Sequence, residues 1–305
     1  MNLKNYNLLI LIFITGFIIS CKTTKTEIAN SQFKPLENSL LWKIESDSLS
    51  SSSYLFGTIH ILKKSDYFIP KGFQKAFDNA ENLTFEIDMK EINNPATIMG
   101  ILPKIMMKGD TSIRDLISDE DFKLLQQHFK KKGIPLFLFE KVKPMFLSMF
   151  AEVDLDQNSL DNGEYISYEM EMMKKAEEKN KTISGLETID YQISIFDSIP
   201  YFEQAKMLMD GIKTVESDAS QLDQLVKIYK QQDINAMQQS IKSDDISKYE
   251  KLLLQNRNKN WIPVMDSMMK KQPVLFLVGA GHLGGKDGVI NLLRKKGYRV
   301  SAVRE

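Results

Sequence analysis

Residues 273–303 read PVLFLVGAGHLGGKDGVINLLRKKGYRVSAV, and the order of apolar and polar runs in this stretch sets the fold class. Pro273 to Val278 is an unbroken apolar run of strand length, the composition of a strand covered on both faces. GAGHLGG reads as a loop, Gly288 to Lys296 as a helix, and Tyr298 to Val303 as a final strand. This is an α/β unit, and its strands need partners from elsewhere in the chain to make a covered sheet.

The other end of the chain supplies them. Leu40 to Glu45 and Tyr54 to Ile59 are strand-like runs separated by the serine-rich DSLSSSS, the pattern of an antiparallel hairpin. Pro70 and Gly72 precede a short helix at Phe73 to Asn79. Asn82 to Asp88 then alternates as a strand, with Phe85 and Ile87 on one face and Thr84, Glu86 and Asp88 on the other, so Glu86 is expected to project away from the core. From Asn94 to about Lys179 the pattern is mostly helical, with segments after Pro95, from Asp119 to Lys132 ended by Gly133, near Pro144, and from Tyr165 to Lys179. Lys181 to Glu187 is a returning strand, and helix continues to Lys271, with Pro263 expected at a first turn or a kink. The predicted architecture is one mixed α/β domain over residues 39–305, its sheet built from N- and C-terminal strands around a helical insertion at about residues 92–180.

Composition narrows the function classes. Forty Lys and Arg balance forty Asp and Glu, so no global field favours nucleic acid. A single cysteine, Cys21, excludes an internal disulfide framework and CxxC metal sites. Its place is informative: Leu8 to Ile19 is a twelve-residue, largely apolar stretch that follows Lys4 and stops at Ser20-Cys21. That is the length of a signal-peptide core and short of the roughly 20 residues a spanning helix needs. Ile18-Ile19-Ser20-Cys21 resembles a bacterial lipobox, which implies cleavage after residue 20, lipidation of Cys21 and a polar tether over residues 21–38. The expected location is the cell envelope, anchored in a membrane by acyl chains and facing the periplasm.

The chain has three histidines, and two follow apolar strands in the same way: Phe56-Gly57-Thr58-Ile59-His60 and Val278-Gly279-Ala280-Gly281-His282. In each, glycine allows close backbone approach or an unusual φ as a strand reaches its C-terminal end, and a histidine follows three residues later. Strand C-termini are where open α/β sheets place ligands. If the two strands are neighbours, both imidazoles reach one site, suited to metal ligation or proton transfer.

These residues bring a resemblance into view. The sequence resembles the TraB/GumN family, related to the Tiki proteins, over about Leu40 to Val303. The matching blocks are Leu55-Phe56-Gly57-Thr58-Ile59-His60, Phe85-Glu86-Ile87-Asp88, Ser184-Gly185-Leu186-Glu187-Thr188 with Gln192, Arg257-Asn258 leading to Trp261, and Gly279-Ala280-Gly281-His282-Leu283. The resemblance implies a fold distantly similar to the erythromycin-esterase and haem-uptake ChaN-like proteins. It also implies a metal-dependent peptidase acting on a peptide or protein, with His60 and His282 as ligands of a divalent ion (Mn, Co, Zn or Fe) and Glu86 as ligand or general base. Glu187 is implied as a supporting or catalytic carboxylate. Arg257 is implied as a donor to a developing oxyanion or to a substrate carboxylate, or else as an ion-pair partner of Glu187 or another carboxylate. The alternative function is a non-catalytic envelope protein that binds haem, a metal or another ligand through the paired histidines.

Other features carry less. GxGxxG matches literally from Gly279 to Gly284 but lacks the acidic residue and further βαβ units of a dinucleotide site. No GxSxG is present. His128 is expected to be a surface or a helix C-terminal histidine interacting with the helix dipole, and the sixteen methionines read as adaptable packing more than as a peptide groove.

Overall fold

The computed structural model describes residues 35–60, 62–92, 94–152, 165–217, 220–243 and 245–304. Cys21, the signal segment and most of the tether lie outside them.

Six strands form the central sheet: β1 (Leu41–Glu45), β2 (Ser53–Thr58), β4 (Asn82–Ile87), β6 (Thr182–Glu187), β7 (Val274–Gly279) and β8 (Arg299–Ala302). A separate two-residue ladder joins β3 (Leu62–Lys63) to β5 (Tyr165–Ile166). The sheet order is β6-β4-β7-β2-β1-β8. β2, β7, β4 and β6 run parallel, while β1 is antiparallel to both β2 and β8. The two GxxH strands are therefore direct neighbours, with Gly57 opposite Val278 and Thr58 opposite Gly279. The apolar run that opened the reading lies at the centre of the sheet, and Val274 to Val278 are buried throughout, as a strand covered on both faces must be.

The insertion has its own core. Ile113, Phe122, Leu125, Phe129 and Leu147 pack with Ala205, Leu208, Met209 and Ile212 apart from the sheet's core. The last four belong to helix Tyr201–Ser217, so this cluster recruits a helix beyond residue 180. Lys143 is buried within this region, donating to the Asp197 carboxylate and the Lys104 carbonyl. Residues 35–304 nonetheless form one compact unit. That unit already includes Leu36, which is buried and bracketed by Asn235: its N–H donates to the side-chain amide at 2.9 Å and its carbonyl accepts from it at 2.7 Å.

His128 lies in the last turn of helix Asp119–Lys131, the helix-end alternative read for it, and is buried, with its ring 6.3 Å from that of Phe129. Of the two readings of Pro263, a first turn or a kink, its place inside helix Asn256–Met269 leaves the second. That helix follows a π-helical stretch, Lys251–Gln255, a wider turn found often at functional sites. The methionines divide: Met172 and Met265 are fully buried, whereas Met99 is 68% exposed on helix Pro95–Ile105, which buries none of its residues. Among the described residues, no helix is long and apolar enough to cross a membrane.

Candidate active site

The C-terminal ends of β2, β4, β6 and β7 converge, and helix Asn256–Met269 crosses beside them with Arg257, Asn258 and Trp261 buried. Glycine opens the space through close approach, not through an unusual φ, since neither Gly57 nor Gly279 has a positive φ. A Cβ on Gly57 would fall 2.6 Å from Leu283 Cδ1. One on Gly279 would stand 3.3 Å from Glu86 Oε1.

Glu86 leaves the core face of β4, as the alternation predicts, but it enters a buried polar cluster and not solvent. Its Oε1 accepts the Gly279 N–H at 2.8 Å, and its Oε2 accepts Arg257 Nη2 at 2.5 Å and Gln192 Nε2 at 3.3 Å. Glu187, at the end of β6, accepts Arg257 Nε at 2.8 Å and Nη2 at 2.6 Å through Oε1, and Trp261 Nε1 at 2.8 Å through Oε2. Arg257 Nη1 donates to the Leu253 carbonyl at 3.2 Å and to His282 Nε2 at 3.2 Å. The guanidinium has five N–H groups, and these five bonds use all of them. Arg257 is thus ion-paired with Glu86 and Glu187 together.

The His282 tautomer follows from its neighbours. Asn258 Nδ2 donates to the carbonyls of His282 at 3.4 Å and Asp287 at 2.9 Å, which orients Oδ1 toward His282 Nδ1, 2.6 Å away. Nδ1 therefore carries the hydrogen and Nε2 is the lone-pair nitrogen. Nε2 also stands 3.6 Å from Glu86 Oε1, and the Trp261 ring packs 4.5 Å from the imidazole. Burial, with Arg257 and His60 in the same direction, outweighs Glu86 and pushes His282 down to about 3. Burial opposes the charged form of Glu86, but His282, Arg257, His60 and the Gly279 N–H together hold its carboxyl well below the usual range. Because His282 is neutral near pH 7, Arg257 and, after it, His60 are the cations that keep Glu86 ionised there.

His60 sits differently. Its ring is 73% exposed, and Nδ1 lies 3.1 Å from Oε1 of Glu169, at the start of helix Tyr168–Glu178. That carboxylate raises the imidazole to about 9, against partial desolvation. His60 nevertheless acts electrostatically on both Glu86 and His282. The structure thus gathers Glu86, Glu187, Arg257 and His282 in one network, with His60 at its edge. Sequence reasoning missed Glu169, and no local pattern ties it to a histidine 109 positions away.

A neutral imidazole and a carboxylate are donor types that suit a divalent cation. Two ligands about 2.1 Å from one tetrahedral ion stand about 3.4 Å apart, close to the separation of His282 Nε2 and Glu86 Oε1. Two features differ from a ready-made centre. Arg257 Nη1 uses the Nε2 lone pair, and among the described residues no three His, Cys, Asp or Glu side chains are gathered to hold a metal ion. A cleft of about 580 Å³ opens elsewhere, between Lys123 and Phe137, and includes none of these residues.

A mixed α/β fold with paired GxxH strands and a buried Glu–Arg–His network defines a class that the comparisons identify. The family model for the TraB/PrgY/gumN family matches residues 40–302, and the chain belongs to that family. It is 23% identical to the metalloprotease TIKI1 of Danio rerio over 86% of this chain and 63% of the relative. It is 22% identical to the metalloprotease TIKI1 of Homo sapiens over 89% of this chain and 64% of the relative. It is 20% identical to the metalloprotease TIKI2 of Danio rerio over 86% of this chain and 60% of the relative. The chain thus spans less than two thirds of the length of these curated relatives. No solved structure matches it, so the likeness to erythromycin-esterase and ChaN-like folds rests on the sequence resemblance alone.

Proposed function

We propose that this chain is a divalent-metal-dependent hydrolase acting on peptide bonds, held at the bacterial cell envelope by a lipidated Cys21 and facing the periplasm. The observation that carries the reading is the pairing of His282 Nε2 with Glu86 Oε1 at 3.6 Å beside the C-terminal end of the first GxxH strand. His282, Glu86 and His60 would hold the cation, with Arg257 Nη1 giving up Nε2 and keeping the Leu253 carbonyl. When bound, such an ion polarises a carbonyl and acidifies water.

The residues divide the remaining work. A carboxylate held as firmly ionised as Glu86 is a weak base, which assigns it to ligation over proton abstraction. Arg257, with every N–H engaged, fixes the two carboxylates and is a positioning residue; Glu187 anchors Arg257 and Trp261 in turn. The exposed Ile98, Met99 and Leu102 offer apolar surface to peptide side chains. Their helix is tied through Lys104 to Asp190, at 2.6 Å, on the helix that carries Gln192.

The second reading, a non-catalytic envelope binder of haem, metal or another ligand, is favoured by one observation: Arg257 Nη1 takes up His282 Nε2 while Nη2 pairs with both buried carboxylates, so the site's donor atoms already have partners. Elemental analysis of the chain beside a His60→Ala/His282→Ala variant, followed by peptide-library cleavage with Mn, Co, Zn or Fe, separates the two. Stoichiometric metal and peptide cleavage, both lost in the folded variant, support the hydrolase. Ligand uptake without product supports the binder.

A further inference from the structure

The two GxxH histidines are held by the same nitrogen. Asn258 engages Nδ1 of His282 at 2.6 Å, and Glu169 engages Nδ1 of His60 at 3.1 Å. From this we infer that Glu169 is the positioning residue of the first GxxH motif, fixing the His60 ring through Nδ1 so that Nε2 is its working nitrogen. The inference rests on the reading above that His60 works at the site.

Glu169 is itself fixed from two sides. Its Oε1 also accepts the Thr58 hydroxyl at 2.7 Å, and its Oε2 accepts the Ser167 hydroxyl at 3.0 Å. Thr58 is the buried residue two positions before His60, and Ser167 is the N-cap of Glu169's own helix. One carboxylate thereby joins the end of β2, the His60 ring and the first turn of an eleven-residue helix, where negative charge is favoured by the unpaired N–H groups. A surface imidazole without such a tether samples several rotamers, and ordering it on each encounter with a ligand costs entropy. His282 needs no carboxylate because burial and Trp261 already confine it. Carboxylate or carbonyl contacts of this kind fix the tautomer and orientation of ligating histidines, and their loss typically costs about 10–100-fold in metal affinity.

The test uses the full chain labelled with ¹⁵N-histidine, whose three histidines are assigned by single substitution. Long-range ¹H–¹⁵N spectra should show a hydrogen-bonded Nδ1–H for His60 that is lost in Glu169→Ala and retained, on an amide oxygen in place of the carboxylate, in Glu169→Gln. Thr58→Val should shift the same signal partway, which keeps the test open if Glu169→Ala fails to fold by circular dichroism. Titration with Mn²⁺ should show an affinity about 10–100-fold weaker in Glu169→Ala, largely recovered in Glu169→Gln. His60 ring signals unchanged in both Glu169→Ala and Thr58→Val would overturn the inference. Ring signals that respond while the parent chain binds none of Mn²⁺, Co²⁺, Zn²⁺ and Fe²⁺ would uphold the positioning role and sink the metal-dependent reading instead.

Discussion

His60 and His282 each follow a parallel strand of the same sheet, three residues after a glycine. Yet the first ring is 73% exposed and meets a carboxylate, while the second is 5% exposed and meets an amide. The motif decides where the side chain emerges; the residues that pack around it decide its charge. A buried ring cannot keep a proton beside Arg257, so its partner must accept one N–H without adding a further charge, and Asn does so. An exposed ring tolerates charge, and Glu169 favours that form while no cation is bound; a cation at Nε2 would displace the proton there and leave the Nδ1 contact in place. The C-terminal motif is thus built into the core, and the N-terminal motif is pinned onto its surface.

The largest expected effect tests how far the C-terminal motif is structural. Arg257→Met would leave Glu86 and Glu187 as buried carboxylates without their cation. Removing one partner of a buried pair costs about 3–5 kcal/mol, and denaturant unfolding should show a loss of that order. A loss under about 1 kcal/mol would mean that the network is solvated and would remove the basis for calling Arg257 a positioning residue.

The histidines themselves give the next contrast. His282→Ala opens a cavity against Trp261 and orphans Asn258 Oδ1, which should cost about 2–3 kcal/mol. His60→Ala removes an exposed ring and should stay within about 1 kcal/mol. Equal losses in unfolding midpoints would break the comparison. Under the proposed function both substitutions abolish peptide cleavage, so activity alone cannot separate the two histidines and stability can.

The pH dependence of stability separates them by sign. His282 falls from 6.5 to about 3 on folding, so the unfolded chain binds the extra proton between those values and stability declines as pH drops through that window. His60 rises from 6.5 to about 9. Its contribution is fully present below about pH 6.5 and is lost as pH climbs through about 9. Stability should therefore peak near pH 6.5, with the alkaline limb the shallower because the His60–Glu169 pair is screened by solvent. Thermal melts across pH should lose the alkaline slope in His60→Ala and, in His282→Ala, the part of the acid slope between about pH 5 and 6.5, above the range in which Glu86 and other lowered carboxyls contribute. If either variant keeps its limb, the corresponding assignment is wrong.

Much of this arrangement was legible in the sequence. The run PVLFLV gave a strand covered on both faces because only a central parallel strand tolerates that composition. Two GxxH strands in a chain with three histidines pointed to one sheet end. What stayed hidden was set by long-range packing. Period-two alternation puts Glu86 off the core face, but only the crossing of helix Asn256–Met269 makes that face a buried network. Glu169 reads as an ordinary acidic residue in a helix's first turn, which is reason enough for its presence locally. Its partner is reached only through the fold. His128 is similar: its place at a helix end was legible, but the charged residues beside it suggest solvent and its burial is set by the fold.

The smallest effect sharpens the contrast beneath the first motif. Tyr168, buried, packs 5.6 Å from Phe56 of β2 and 4.7 Å from Tyr67, with Tyr229 5.8 Å away. Tyr229 donates its hydroxyl to the Gly57 carbonyl at 3.0 Å, holding the GxxH backbone directly, whereas the buried Tyr67 hydroxyl has no hydrogen-bond partner among the described residues. Removing a satisfied buried hydroxyl orphans its acceptor; removing an unsatisfied one relieves a desolvation cost. Tyr229→Phe should therefore cost about 1 kcal/mol and loosen His60 along with Gly57, seen as faster hydrogen exchange at the end of β2. Tyr67→Phe should be neutral or stabilising by up to about 1 kcal/mol, with exchange there unchanged. A clear loss of stability in Tyr67→Phe would mean that its hydroxyl is satisfied, by an ordered water or by a ligand entering beneath the first motif, and the aromatic cluster would then belong to the site.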